Sequence, residues 1–233
     1  KGIPVCNVPN YGGYSVSQFT IALMLEACLH IGHHDRTVHE GKWQNSPDWC
    51  YWDYPLIELA GKTFGLLGCG RIGIHTAEAA KALGMHVIAY DPFLKTAPNG
   101  IELVQDRMEI FREADFISPH LNLTDDTFHS IGETEFKAMK PTACIINVSR
   151  GAIIDEPALV RALQENEIGG AGLDVTDPEE CALSNPLLHM SNVIVTPHIA
   201  GSSKEALERV ATMCIANIEC YFAGKELPGR KIV

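Results

Sequence analysis

Short apolar runs alternate with helix-forming stretches along most of the chain. Phe64 to Leu67, His86 to Tyr90, Asp115 to Pro119, Ala143 to Val148, Gly170 to Val175 and Asn192 to Thr196 are near-continuously apolar, the pattern of strands covered on both faces. Helical spacing fills the gaps, at Ile74 to Leu83, Gln105 to Arg112, Glu133 to Met139 and Glu156 to Asn166. Gly84 closes the first of these; Asp155 as N-cap and Pro157 in the first turn start the last. Such alternation predicts an α/β fold, a doubly wound parallel sheet with helices on both faces. A final helix is expected at Lys204 to Phe222, after Gly201-Ser202-Ser203. Ahead of the alternating region, Ile3 to Val8 reads as a strand stopped by Pro9, and Tyr11-Gly12-Gly13 as a hinge into a helix over Ser15 to Ile31. That helix is apolar round most of its surface and is expected between domains or subunits. Trp43 to Pro55 has no period and reads as an aromatic-anchored loop, suited equally to an interface and to packing on its own chain.

One stretch carries more than an element. Lys62 to Leu67 runs as a strand into Gly68-Cys69-Gly70-Arg71-Ile72-Gly73, a G-x-G-x-x-G turn opening a helix. Gly68 permits the tight turn, Gly70 lets backbone approach a pyrophosphate and Gly73 lets the helix pack closely on the sheet. The helix N-terminus then faces the phosphates. The next strand ends on Asp91, 18 residues after Gly73, where an acidic residue meets the adenosine ribose diol. A carboxylate there repels a 2′-phosphate, so NAD is expected over NADP.

Composition narrows the classes. The 233 residues are 46% hydrophobic with a net charge of -11, which predicts a soluble globular chain without a membrane span and argues against nucleic acid and anionic membranes as partners. The chain opens on Lys1 inside its first strand, without an initiator Met, and so reads as a fragment. Its eight cysteines form no C-x-x-C pair, as expected of reduced thiols in a cytoplasmic protein. Cys69 is expected as a packed, inert thiol beside the phosphate turn. His30, His33, His34 and Asp35 are expected to end an amphipathic helix rather than to bind metal.

In an open parallel sheet, ligands sit beyond the carboxyl ends of the strands. Three polar residues follow strand runs: Arg150 in Asn147-Val148-Ser149-Arg150-Gly151, Glu179 after Leu173-Asp174-Val175, and His198 in Thr196-Pro197-His198-Ile199. Together they suit hydride transfer to a 2-oxo acid. His198 exchanges a proton with the carbonyl oxygen, Glu179 on the other ring nitrogen favours the imidazolium, and Arg150 grips the carboxylate.

The chain resembles the D-2-hydroxyacid dehydrogenases over nearly its whole length. The resemblance rests on Gly68-Cys69-Gly70-Arg71-Ile72-Gly73, Met139-Lys140-Pro141, Asn147 to Gly151, Leu173-Asp174-Val175 with Glu179, and Pro197-His198-Ile199-Ala200-Gly201-Ser202. Val16 to Thr20 and Glu58 to Thr63 look most like the branch acting on glyoxylate, hydroxypyruvate and D-glycerate. The resemblance implies Arg150, Glu179 and His198 as the catalytic set, and a Rossmann NAD-binding domain over residues 14–200. It implies that residues 1–13 and 201–233 are remnants of a flavodoxin-like substrate domain. It further implies that Arg71 and Ile72 contact the pyrophosphate, Asp91 the ribose, Asp174 the nicotinamide amide, and that Leu121, Val148, Ser149 and the His198 to Gly201 turn border the cofactor. A homodimer joined through the nucleotide-binding domain is also implied. Two positions depart from the family pattern: Glu180 replaces proline after the catalytic glutamate, and Asn122 interrupts His-x-Pro-Leu at His120-Leu121-Asn122-Leu123. An NAD(H)-responsive corepressor of the same fold is the competing expectation, disfavoured by the acidic charge and the absence of a basic tail.

Overall fold

The computed structural model describes residues 4–96 and 98–231. In chain order its elements are β1 (Cys6–Asn7), α1 (Gly13–Leu29), α2 (Ile31–His39), β2 (Thr63–Leu67), α3 (Arg71–Ala82), β3 (His86–Tyr90), β4 (Glu102–Leu103), α4 (Arg107–Glu113), β5 (Phe116–Pro119), α5 (Glu133–Ala138), β6 (Cys144–Asn147), α6 (Glu156–Gln164), β7 (Gly170–Leu173), β8 (Val193–Val195), α7 (Lys204–Phe222) and β9 (Arg230–Lys231). Seven strands form one parallel sheet in the order β4-β3-β2-β5-β6-β7-β8. The chain therefore starts at an inner strand, steps outward to β4, then crosses back over β2 to build the other half. The crevice where that order reverses lies between β2 and β5, the place where such sheets bind ligands.

Strand side chains alternate between two apolar layers, as the period of two requires. Phe64, Leu66, Val87, Ala89, Phe116 and Ile146 pack with the α1 and α3 side, while Leu67, Ile88, Ile117, Ile145 and Leu173 pack with α4, α5 and α6. Burying a side chain of this size contributes about 1.5–3 kcal/mol, so neither helix layer is dispensable. Gly172 sets how closely α1 approaches: a Cβ there would lie 3.3 Å from Leu23 Cβ.

The predicted sheet and its helices are present, with boundaries shifted by a few residues. Three features differ. The buried stripe of α1 (Ser17, Thr20, Leu23, Met24, Cys28) covers its own sheet and α3 rather than another domain. His30 is left-handed (φ 48°) and breaks the chain into a second helix, α2, so His33, His34 and Asp35 lie inside a helix instead of ending one. Finally, β4 is a two-residue edge strand with no readable pattern. The first strand is confined to Cys6–Asn7; Ile3, where it was expected to begin, lies outside the described residues.

β1 pairs antiparallel with β9, apart from the main sheet, so Cys6 sits opposite Lys231. Among the described residues, only Ala206 of α7 is buried, and Leu207, Ile215, Ile218 and Phe222 are exposed. No single described helix is long and apolar enough to cross a membrane; α1 and α2 reach that composition only as a bent pair, at 59°.

His120 closes the switch point. Its N–H donates to the Leu67 carbonyl at 2.7 Å, tying the end of β5 to the end of β2. The residue is half-buried, but its Nε2 is shut from solvent without a partner, and burial pushes the imidazole down to about 4. A histidine whose folded pKa is lowered contributes fully to stability above the unfolded value near 6.5, and that contribution is lost as pH falls towards 4. Chemical denaturation at pH 7 and pH 4.5 is therefore expected to show an acid-induced loss of stability that shrinks by about 1–3 kcal/mol in His120→Gln.

Candidate active site

The phosphate turn is built from steric necessity. Gly68 has φ 91°, and a Cβ on it would sit 2.6 Å from the His120 carbonyl oxygen. Gly73 is packed against the turn itself, its absent Cβ falling 2.5 Å from the Gly68 oxygen. Gly70 differs, because nothing lies within 4 Å of its Cβ position. It caps α3 without any side-chain hydrogen bond, so the first-turn N–H groups of Arg71, Ile72 and Gly73 face open space with the helix's positive end behind them. A bare helix start beside an unobstructed glycine fits a pyrophosphate.

Asp91 braces this turn. Its Oδ2 accepts the Cys69 N–H at 2.9 Å, and its Oδ1 accepts the Phe93 N–H at 2.9 Å. The Cys69 thiol is buried, and burial together with the Asp91 charge pushes its pKa up, in keeping with a packed, unreactive sulfur.

The strand ends on the other side of the crevice carry the remaining predicted residues. After β6, the buried Asn147 shapes the turn: its Oδ1 accepts the Ser149 N–H (3.0 Å) and its Nδ2 donates to the Arg150 carbonyl (2.9 Å). Ser149 Oγ donates to the Pro119 carbonyl (2.6 Å), tying this turn to β5. Arg150 is exposed, with Nη1 resting on the Ser149 carbonyl at 2.6 Å. Gly151 touches the next loop backbone to backbone, since a Cβ there would fall 1.9 Å from the Thr176 oxygen.

His198 is held from β7. Asp174 is fully buried, and its carboxylate accepts from Thr196 Oγ1 (2.6 Å), Ile199 N–H (3.0 Å) and Ala200 N–H (2.7 Å). The Asp174 carbonyl accepts the His198 N–H at 2.9 Å. Anchored on both sides, His198 takes a left-handed conformation (φ 53°) that a β-carbon disfavours. Its Nδ1 is hydrogen-bonded to Glu179 Oε1, which leaves Nε2 for a ligand.

A cleft of about 640 Å³ joins these parts, a size suited to a cofactor-scale molecule. Of the predicted residues it is lined by Gly70, Arg71, Ile72, Gly73, Leu121, Val148, Ser149, Arg150, His198 and Gly201. Gly68 and Asp174 lie beneath its walls, Asp91 stands behind the phosphate turn, and Glu179 reaches it through His198. Sequence reasoning missed the wall formed by Asn10 to Gly13 and Val16, which had only the signal of a hinge. It also missed Asn147, whose role depends on partners that the fold brings together. The histidine cluster is elsewhere and structural: His33 Nε2 meets Asp53 at 2.7 Å, and His34 Nδ1 donates to the His30 carbonyl while Nε2 accepts the Asp53 N–H. Among the described residues, no group of three His, Cys, Asp or Glu side chains is arranged to hold a metal ion.

Residues 21–200 match the family model described as D-isomer specific 2-hydroxyacid dehydrogenase, NAD binding domain. The chain is 45% identical over 225 residues to a hydroxypyruvate reductase of Blautia hydrogenotrophica, covering 96% of this chain and 70% of that protein. It is 39% identical over 227 residues to a glycerate dehydrogenase of Methylorubrum extorquens, covering 97% and 70%. Among solved structures, it superposes with TM-score 0.89 and 28% identity on an NADPH-dependent glyoxylate/hydroxypyruvate reductase from Sinorhizobium meliloti in complex with NADP and malonate, covering all of this chain and 71% of that one. The chain belongs to the D-isomer specific 2-hydroxyacid dehydrogenases, oxidoreductases that move hydride between a nicotinamide dinucleotide and small 2-hydroxy acids.

Proposed function

We propose that this protein is an NAD-dependent oxidoreductase that transfers hydride between nicotinamide and C2 of a small D-2-hydroxy acid or its 2-oxo acid, of the hydroxypyruvate, glyoxylate or D-glycerate type, with Arg150, Glu179 and His198 as its catalytic set. The observation that carries the reading is the His198–Glu179 pair, with Nε2 left for a ligand beside Arg150 and the phosphate turn. The similarity to hydroxypyruvate and glyoxylate reductases and to glycerate dehydrogenase supports the substrate class. An NAD(H)-responsive corepressor is not favoured, because these relatives are reductases and dehydrogenases.

The first-turn N–H groups of α3 and the Arg71 side chain would hold the pyrophosphate, Asp91 the ribose diol, and Leu121, Val148, Ser149 and Gly201 the walls around it. Asp174 supports the nicotinamide end through the turn that it braces. When bound, the nicotinamide supplies the hydride acceptor or donor. Arg150 grips the substrate carboxylate with its planar fork and polarises the neighbouring carbonyl. Glu179 keeps the Nδ1 proton of His198 directed towards itself, so Nε2 is the nitrogen that exchanges. In reduction Nε2 gives its proton to the carbonyl oxygen; in oxidation it takes the hydroxyl proton back. The resemblance assigns the R hydroxy acid as product.

Three further assignments complete the reading. Asp91 selects NAD, a reading that rests on its place at the end of β3 and on the repulsion that a carboxylate there would exert on a 2′-phosphate. Residues 14–200 form the dinucleotide domain, and the β1–β9 pair with α7 belongs to a second unit, as their separation from the main sheet supports. The protein is a cytoplasmic homodimer: the cysteines are free thiols, and Ile31, Trp49, Trp52 and Leu56, all more than half exposed, surround one shallow apolar groove.

With NADH absorbance as the readout and hydroxypyruvate, glyoxylate, pyruvate and 2-oxoisocaproate as substrates, turnover is expected with the first two. His198→Ala should lower it by about 10²–10⁴ with NADH still bound; equal turnover in the mutant would remove His198 from the mechanism. Asp91→Asn should shift the NADH to NADPH ratio of kcat/KM towards NADPH at least about tenfold, and an unchanged ratio would place cofactor choice elsewhere. In light scattering, the native chain is expected at dimer mass and Trp52→Glu at monomer mass; a native monomer would refute the dimer.

A further inference from the structure

The loop from Thr176 to Asn185 carries Glu179, and little in its own sequence holds it in shape. Pro178, Glu179, Glu180 and Ala182 to Ser184 are exposed, Leu183 to 87%, and the next buried side chain is Leu187. A loop without an apolar anchor is positioned by its polar ties. Here both ends meet one carboxylate. Glu156 Oε2 accepts the Asp177 N–H at 3.0 Å, and Glu156 Oε1 accepts from Asn185 Nδ2 at 2.7 Å.

Each partner is itself fixed. Asn185 Oδ1 accepts the Leu187 N–H at 2.9 Å, so its amide has one orientation that serves both bonds. Glu156 is the first residue of α6, a start capped by Asp155, which accepts the Ala158 N–H at 3.2 Å. Its charge is favourable in that first turn. Beside this clasp, Thr176 Oγ1 donates to the Pro178 carbonyl at 2.8 Å and more weakly to the Glu179 carbonyl at 3.3 Å, His189 Nε2 lies 3.0 Å from the Leu183 carbonyl oxygen, and His129 Nε2 lies 3.2 Å from Asp177 Oδ2.

We propose that Glu156 is a positioning residue for hydride transfer: one carboxylate clasps both ends of the loop that presents Glu179 to His198. This rests on reading Glu179 and His198 as the proton-handling pair. Glu156 is not among the residues that line the cleft. Its effect therefore passes through the loop, where a displacement near 1 Å at the reacting groups can cost about a hundredfold in rate.

The test uses the full chain with Glu156→Gln, which is isosteric but keeps only one acceptor, and Glu156→Asp, which keeps both. Hydrogen exchange should quicken across 177–187 in Glu156→Gln, with NADH affinity within about twofold of native and kcat with hydroxypyruvate down about tenfold at unchanged KM. Glu156→Asp should recover part of that loss. In a Glu179→Gln background, Glu156→Gln should cost nothing further, because the two act through one another. Equal losses in both backgrounds, NADH affinity falling in step with kcat, or unchanged exchange over 177–187 would each overturn the proposal. If the native chain turns over none of the four 2-oxo acids, the functional reading fails instead, and hydrogen exchange alone then decides whether the clasp exists.

Discussion

A carboxylate with no exposure to solvent sits where β7 ends, and a buried charge must be met by donors. Asp174 finds all of them in one five-residue turn: the Thr196 hydroxyl and the N–H groups of Ile199 and Ala200, with the His198 N–H on its own carbonyl. These bonds hold His198 in its left-handed backbone conformation. Because hydrogen bonds to a charged partner are worth about 1.5–3 kcal/mol each, this one group outweighs the roughly 1–3 kcal/mol of strain at His198. The ring's reach to Glu179, and the freedom of its other nitrogen, follow from that balance.

The second constraint is contact without side chains. Gly151 against Thr176, and Gly68 against His120, bring backbone to backbone at distances that no β-carbon would allow. The first fixes the Arg150 turn relative to the loop bearing Glu179, and the second fixes the phosphate turn relative to the wall carrying Leu121. Two glycines thus set the spacing between cofactor-holding and substrate-holding halves, and the side chains inherit it.

Much of this was legible in the sequence because it is local. A buried parallel strand announces itself by an unbroken apolar run, and Gly68-Cys69-Gly70-Arg71-Ile72-Gly73 encodes its own turn; the residues one or two places beyond each run then fall on one edge. What was illegible depends on partners distant along the chain. Asn147 reads as a strand residue until its amide is seen holding Ser149 and Arg150, and Glu156 as an ordinary first-turn acid until Asp177 and Asn185 meet it. The resemblance gives Asp174 to the nicotinamide amide, and only the folded turn shows its carboxylate also accepting from Thr196, Ile199 and Ala200. α2 escaped because, with Ile31 and Val38 as its only large apolar residues, it has no periodic stripe, and β4 because two residues carry no pattern.

The antiparallel meeting of β1 with β9 places both exits from the main sheet side by side. Gly12 lies against Gly201, Ser15 Oγ donates to the Ala200 carbonyl at 2.6 Å, and Arg209 Nε donates to the Tyr11 carbonyl at 2.8 Å. Whatever rides on that strand pair is joined by two straps rather than one. A body on a single strap can swivel about it; on two parallel straps it can nod about the line through both but resists twisting. Tyr11 and Gly201, one on each strap, both stand in the wall of the cleft, so the ties that hold the two exits together also frame the space between the phosphate turn and His198.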